Sequence, residues 1–193
     1  MKSKVLFTMV LIGSLLMSAV NVKLYAQDKT RIDILNPEYI KLPKENDNVE
    51  ITAESTLEDI LRKIDYYYAS RNFDESIVLC KATLKKADNK QFIAAINFSL
   101  SSSYLEKGIN AYLENDDDSF YKLSIQHARK TLEVFPDSWQ ALSNIGAVYF
   151  NMGDYKQAIL FGKKSLKIEP NNTRLQENLK LYEETIKQNQ RMI

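Results

Sequence analysis

A chain of 193 residues with 45% hydrophobic content and a formal net charge of +1 has the size and composition of one globular domain with tails. That balance excludes a strongly basic nucleic-acid binder, and the lone Cys80 excludes an intrachain disulfide, so the fold must hold by packing.

The first element in chain order reads as an export signal, residues 1–26. Lys2 and Lys4 form a basic start. Val5 to Val20 is an apolar run broken by Thr8, Gly13, Ser14 and Ser18, and a short polar stretch, Asn21 to Ala26, follows. Cleavage after Ala26 would leave Gln27 first, although Leu24 fits poorly three residues before that bond. The run of about 16 apolar residues falls short of the roughly 20 that cross a bilayer, so no stable membrane insertion is expected after cleavage. No cysteine follows to take a lipid. The chain is expected to be exported, periplasmic or secreted, and its signal looks bacterial. Without Lys2, Lys4 and Lys23, 23 basic residues face 25 acidic ones, which leaves no net field for nucleic acid.

Residues 27–55 read as an extended arm, with Pro37, Pro43 and the polar run Lys44 to Asn48. Ile32, Ile34, Leu35, Tyr39, Ile40 and Leu42 make it too apolar for a pure spacer.

From there the chain is helical in pattern and repeats itself. Laying residues 57–90 over 139–172 places Tyr67 on Tyr149, Phe73 on Tyr155, Ile77 on Ile159, Thr83 on Ser165 and Leu84 on Leu166 without a gap. A third copy, 94–138, puts Tyr104 on Tyr149. Its Tyr121, Ser124, Ile125 and Thr131 fit once about eleven residues are inserted after Gly108, roughly three helical turns. The first helix of this unit is therefore expected to run to about Leu113. Asp116 to Asp118 would turn the chain, and a second helix would start near Ser119. Helix-start pairs of an oxygen-bearing residue with an acid or amide three later stand at Ser55/Glu58, Asn72/Glu75, Asp137/Gln140, Asp154/Gln157 and Thr173/Gln176. Leu175, Leu179, Tyr182 and Ile186 then predict a capping helix over 173–190, closing a repeat domain of 56–191.

This pattern of roughly 34 residues resembles the tetratricopeptide repeat. In the last copy Leu142, Ile145, Gly146, Tyr149, Ala158 and Pro170 stand at signature positions, and Gly153-Asp154-Tyr155 matches the usual turn. Ile64 and Gly162 depart from it, in size, in opposite directions. The resemblance implies an all-α fold, an α-solenoid of about three stacked antiparallel helix pairs, the middle one lengthened.

Nothing in the sequence spells catalysis, a cofactor or a metal site. Cys80 lies on the packed stripe of its helix, one turn before Leu84, and reads as structural; His127 reads likewise. Asn115 to Asp118 lacks the glycine and distal glutamate of a calcium loop and reads as a helix cap. Asn97-Phe98-Ser99 and Asn171-Asn172-Thr173 are weak glycosylation signals, the first being mid-helix.

The resemblance also implies a concave surface lined by the first helix of each unit. The positions it marks are Glu58, Leu61, Asp65 and Tyr68; then Phe98, Ser102, Leu105 and Glu106; then Gln140, Ser143, Ala147, Phe150 and Asn151. Such a groove is apolar with an acidic edge. Asp65 and Glu106 oppose the basic clamp with which some members hold carboxylate tails, so an apolar segment with basic flanks fits better. Ile109, Tyr112, Leu113 and Phe120 would form a second contact site at the tip of the lengthened hairpin, short of cover unless the arm folds over it. The expected function is a non-enzymatic adaptor binding a protein or peptide in the cell envelope. The alternatives are a self-associating envelope component, and a regulatory or catalytic protein whose chemistry has no recognised motif.

Overall fold

The computed structural model describes residues 55–115 and 117–191. The expected signal, and the arm up to residue 54, lie outside the described residues. Among those described there are seven α-helices and no strand, and they divide into two compact units, one ending at Ala87 and one beginning at Asp88.

In the first unit α1 (Leu57–Ala69) and α2 (Phe73–Leu84) pack as a hairpin. Thr56 opens α1 through a reciprocal box: its Oγ1 accepts from the Asp59 amide at 3.2 Å, and its own amide donates to Asp59 Oδ2 at 3.0 Å. The box sits one residue later than the expected Ser55/Glu58 pair. Two adjacent hydroxyl residues, each followed three later by an acid, satisfy the same rule. The turn brings Arg71 to a φ of 61°, and the Asn72 amide closes it on the Tyr67 carbonyl at 2.8 Å. Asn72 caps α2 without a side-chain hydrogen bond. Ile64, Tyr68, Phe73, Ile77 and Cys80 are buried.

The second unit holds α3 (Lys90–Asn115), α4 (Ser119–Val134), α5 (Trp139–Asn151), α6 (Tyr155–Ile168) and α7 (Thr173–Arg191). Each packs on the next, and α3 also packs on α5. The 26-residue α3 is about 39 Å long at 1.5 Å per residue. It starts ahead of Ala94, with Asn89 Oδ1 accepting from the Phe92 amide at 2.9 Å, and runs past Gly108 as the insertion predicts. Asp117 Oδ1 accepts from the Ser119 amide at 2.9 Å, and Asp118 pairs with Lys122 at 2.8 Å. Asp117 thus satisfies the first amide of α4, while Asp118 holds the N-cap position without a side-chain cap bond. Asp154 caps α6 as expected, at 3.1 Å from the Gln157 amide. Ser138 and Asn172, not Asp137 and Thr173, cap α5 and α7.

Two hydrogen bonds fix the repeat register. Ser165 Oγ donates to the Trp139 carbonyl at 2.7 Å, and Thr131 Oγ1 donates to the Ala94 carbonyl at 3.1 Å. These are equivalent residues once the insertion follows Gly108, so lengthening α3 leaves the base of its hairpin unchanged. Helices cross where small residues meet. Ser124 Oγ donates to the Ser101 carbonyl at 2.8 Å in one hairpin; in the other, a methyl on Gly146 would lie 3.4 Å from the Ala158 carbonyl oxygen.

Gly108 is the glycine the lengthened helix needs most. A methyl there would stand 2.6 Å from Cε1 of Tyr121, a ring that is itself fully buried. Gly162, small where the repeat pattern has a large residue, leaves room for α7: Leu179 and Tyr182 fill the space over it, and Tyr182 stacks on Phe150 with centroids 4.7 Å apart.

Candidate partner-binding surface

The expected groove positions separate by burial. On α5, Ser143, Ala147 and Asn151 are half-exposed and follow one another at four-residue spacing, one open stripe along the helix. On α1, in the other unit, Leu61 and Asp65 occupy the equivalent positions and are also half-exposed. Glu58 precedes them, with its carboxylate on Arg62 at 2.8 Å.

The corresponding stripe of α3 is closed, which corrects the expectation that it lines the groove. Phe98 is only 1% exposed, and Ser102, Leu105 and Glu106 are buried with it. Ser102 faces α5, where Asn144 Nδ2 donates to its Oγ at 3.0 Å and to Ser101 Oγ at 3.2 Å. Leu105 belongs to a cluster with Tyr121 and Val148. Glu106 lies close enough to Tyr121 to help burial raise that phenol's pKa. A central helix packed on both α4 and α5 has little side left to present. Tyr68, Gln140 and Phe150 are buried as well. Tyr68 meets Phe73 edge-on, Gln140 takes a hydrogen bond from Ser138 at 3.4 Å, and Phe150 lies between Tyr155 and Tyr182.

The acidic edge is weakened too. Although part of the residue's surface stays open, the Asp65 carboxyl itself is taken out of water, which pushes its pKa up to about 7, so near neutral pH it carries only part of a charge.

The tip has more cover than the sequence implies. Ile109 and Tyr112 pack, half-buried, on the Leu105–Tyr121–Val148 cluster, with the Tyr112 and Tyr121 rings 5.6 Å apart. Phe120 stacks on Tyr104 at 6.1 Å and lies under Lys107. The side chain of Leu113 lies outside those described. Cover comes from Tyr121 of α4 and Val148 of α5, although α3 takes nearly all of the added length and α4, at 16 residues, is only two longer than α6. Ala147 of α5 and Met152, just past its end, pack on the same cluster. Groove and tip, expected as separate sites, therefore share this cluster: Ala147 of the α5 stripe, between Ser143 and Asn151, packs on the same buried residues as Ile109 and Tyr112. Met152 had no signal of its own, since it stands in the turn and not on the stripe.

Residues singled out for chemistry have structural surroundings. Cys80 is fully buried, and burial first, then the Asp65 charge, pushes its thiol well above the ordinary range; a thiolate is the nucleophilic form, so this one is inert. His127 Nδ1 bonds Asn97 Oδ1 at 2.8 Å and the ring stacks on Tyr104. That bond and the burial of Asn97 also close its glycosylation signal. Among the described residues no group of three His, Cys, Asp or Glu is placed to hold a metal ion.

The hairpin α5–α6, with its Gly146–Ala158 crossing, its Asp154 cap and its Tyr149 and Tyr155 rings, decides the comparison with known families. Residues 139–172 match the tetratricopeptide repeat. Repeats of this type generally mediate contacts between proteins. Among solved structures, the C-terminal TPR-containing domain of a Plasmodium falciparum FK506-binding protein is similar at 21% identity, with a TM-score of 0.49, over 72% of this chain and 97% of that one. No curated protein sequence matches the chain.

Proposed function

We propose that this chain is an exported, non-enzymatic adaptor that holds a peptide or partner protein on the surface formed by α5 and the tip of α3, in the periplasm or outside the cell. The observation that carries this reading is the meeting of Ile109, Tyr112, Ala147 and Met152 around one buried cluster, partly open and flanked by Ser143 and Asn151. Apolar residues supply affinity where they can be desolvated, and an amide and a hydroxyl beside them can hold backbone groups of an extended segment. Export rests on the basic and apolar start of the chain. Within the described residues, no helix is long and apolar enough to cross a membrane.

The test is selection of peptides from a random display library against the purified protein, followed by binding to Ala147→Arg and Asn151→Ala. Both positions are half-exposed, so circular dichroism should be unchanged while affinity for the selected peptides falls at least about tenfold. Selected peptides that bind Ala147→Arg as tightly as the wild type would reject this surface.

A further inference from the structure

The outward faces of α4 and α6 are unlike the rest of a chain that is nearly neutral. Both helices pack on α5. On α4, Lys122, Arg129 and Lys130 are exposed; on α6, Lys156, Lys163, Lys164 and Lys167 are exposed, at matching repeat positions for the first three. Glu133 is the acidic residue among them. Lys122 is answered by Asp118 at 2.8 Å and Lys163 by Glu183 at 3.2 Å. Leu160, 45% exposed, stands amid the α6 lysines. The two rows run about 12 Å and 16 Å along their helices.

Near-neutrality means that the balancing acid lies elsewhere, and in sequence it gathers in two runs: Glu114 to Asp118, joined to α4 and engaged there through Asp118 with Lys122, and the stretch before α1. Between Lys44 and Arg62 there is no basic residue, while Glu45, Asp47, Glu50 and Glu54 alternate with Val49 and Ile51 before α1 begins. Acid interspersed with aliphatic residues complements a lysine face with a leucine in it. A nucleic-acid strand fits less well, because the aromatic beside the lysines, Phe161, is partly buried, stacks on Tyr149 and lies under Lys164, which leaves no free ring for bases. A lipid surface fits less well because Leu160 alone would enter the acyl region.

We propose that the α4–α6 face docks the acidic stretch of residues 45–54 from a second copy of this chain. This uses a different surface from the adaptor reading and stands or falls independently of it. The contact joins unlike patches, so copies would add head to tail.

Sedimentation equilibrium of the purified full chain tests it. At about 50 mM salt the weight-average mass should rise with protein concentration, and at about 500 mM it should return to that of the monomer, because exposed charges are then screened. Lys130→Glu with Lys164→Glu should weaken association at least about tenfold. So should replacing Glu45, Asp47, Glu50 and Glu54 together by Lys. Mixing these two variants should restore association between them, since the reversed face then meets the reversed stretch; unchanged circular dichroism checks the fold of both. A monomer at every concentration in low salt overturns the proposal, as does association that survives face reversal or high salt. Failure of the mixture to associate also overturns it. Flotation of a monomeric chain with phosphatidylserine vesicles, lost on face reversal, would make the face a lipid site instead.

Discussion

The first and last hairpins make the same turn with different residues. Bonds of Ser70 to Tyr66, Arg71 to Tyr68 and Asn72 to Tyr67 recur as Met152 to Val148, Gly153 to Phe150 and Asp154 to Tyr149. Tyr68 on Phe73 and Phe150 on Tyr155 are both edge-on pairs at 5.5 Å. Arg71 takes the positive φ that Gly153 takes. What differs is how each hairpin is fastened. Ser165 reaches across to the first helix at Trp139, whereas the equivalent Thr83 folds back on Leu79 of its own helix. The last hairpin crosses at Gly146 and gains Tyr182 from α7; the first crosses at Ile64 and buries Cys80 where the last has Gly162. Turn geometry is thus conserved by backbone bonding alone, and the rest of the hairpin is free to be packed in different ways.

The largest expected effect lies at the difference in cover. Tyr182→Ala should empty the space over Gly162 and unstack Phe150, costing about 3–5 kcal/mol in urea unfolding. A loss below about 1 kcal/mol would mean that α7 is not part of that core.

Crossings come next. Gly146→Leu has contact-distance room for one methyl and none beyond it, and Gly108→Ala strikes a buried ring; each should cost about 1–3 kcal/mol by thermal or urea melting. Equal stability of Gly108→Ala and the wild type would show that Tyr121 can yield.

A third test uses charge, since Asp65 in the first hairpin stands where the last has Ala147. With its pKa raised to about 7 from 3.8, the folded chain binds a proton more tightly than the unfolded one. Stability contributed by the protonated carboxyl is full below about pH 4, falls as pH rises towards 7, and stays lost above that. Asp65→Asn should flatten this slope and stabilise the protein at pH 8 by on the order of 1–2 kcal/mol, with little change at pH 4. Parallel pH profiles for the two proteins would sink the assignment.

The smallest effect is at the shared turn. Arg71→Gly relieves a left-handed residue but gives up the guanidinium over Phe73, 5.6 Å from its ring. The net gain should be under about 1 kcal/mol, against a loss of about 1 kcal/mol for Gly153→Ala. A loss at Arg71→Gly would show that the cation's contact outweighs the strain.

Much of this architecture was legible in sequence because stripes, caps and insertions obey local rules. The eleven-residue insertion could be placed from Tyr104 and Thr131 alone, since a helix lengthened by whole turns keeps its phase. Caps slipped by one residue at Thr56, Ser138 and Asn172: Thr56 meets the same pairing rule through Asp59, while Ser138 and Asn172 cap with the side-chain oxygen alone, without an acid or amide three later. The groove was read less well. Phe98, Ser102 and Glu106 share a register with Leu61, Asp65 and Ala69, yet burial depends on how many neighbours a helix has, and periodicity says nothing about that. Gly108 was missed for a related reason: its need for smallness comes from Tyr121, which approaches only because the turn has moved beyond it.

The seam of Ser101, Ser102, Ser124 and Asn144 has a consequence for folding. Similar hairpins invite mispairing, and a purely apolar seam would accept α5 shifted by a turn at modest cost. Here such a shift strands buried hydroxyls and an amide away from their partners, and Asn144 already carries one carbonyl oxygen without a hydrogen bond. Few bonds can be lost before the seam opens. Misaligned intermediates should therefore be short-lived and refolding free of a slow correcting phase, an advantage for a chain whose neighbouring segments resemble one another.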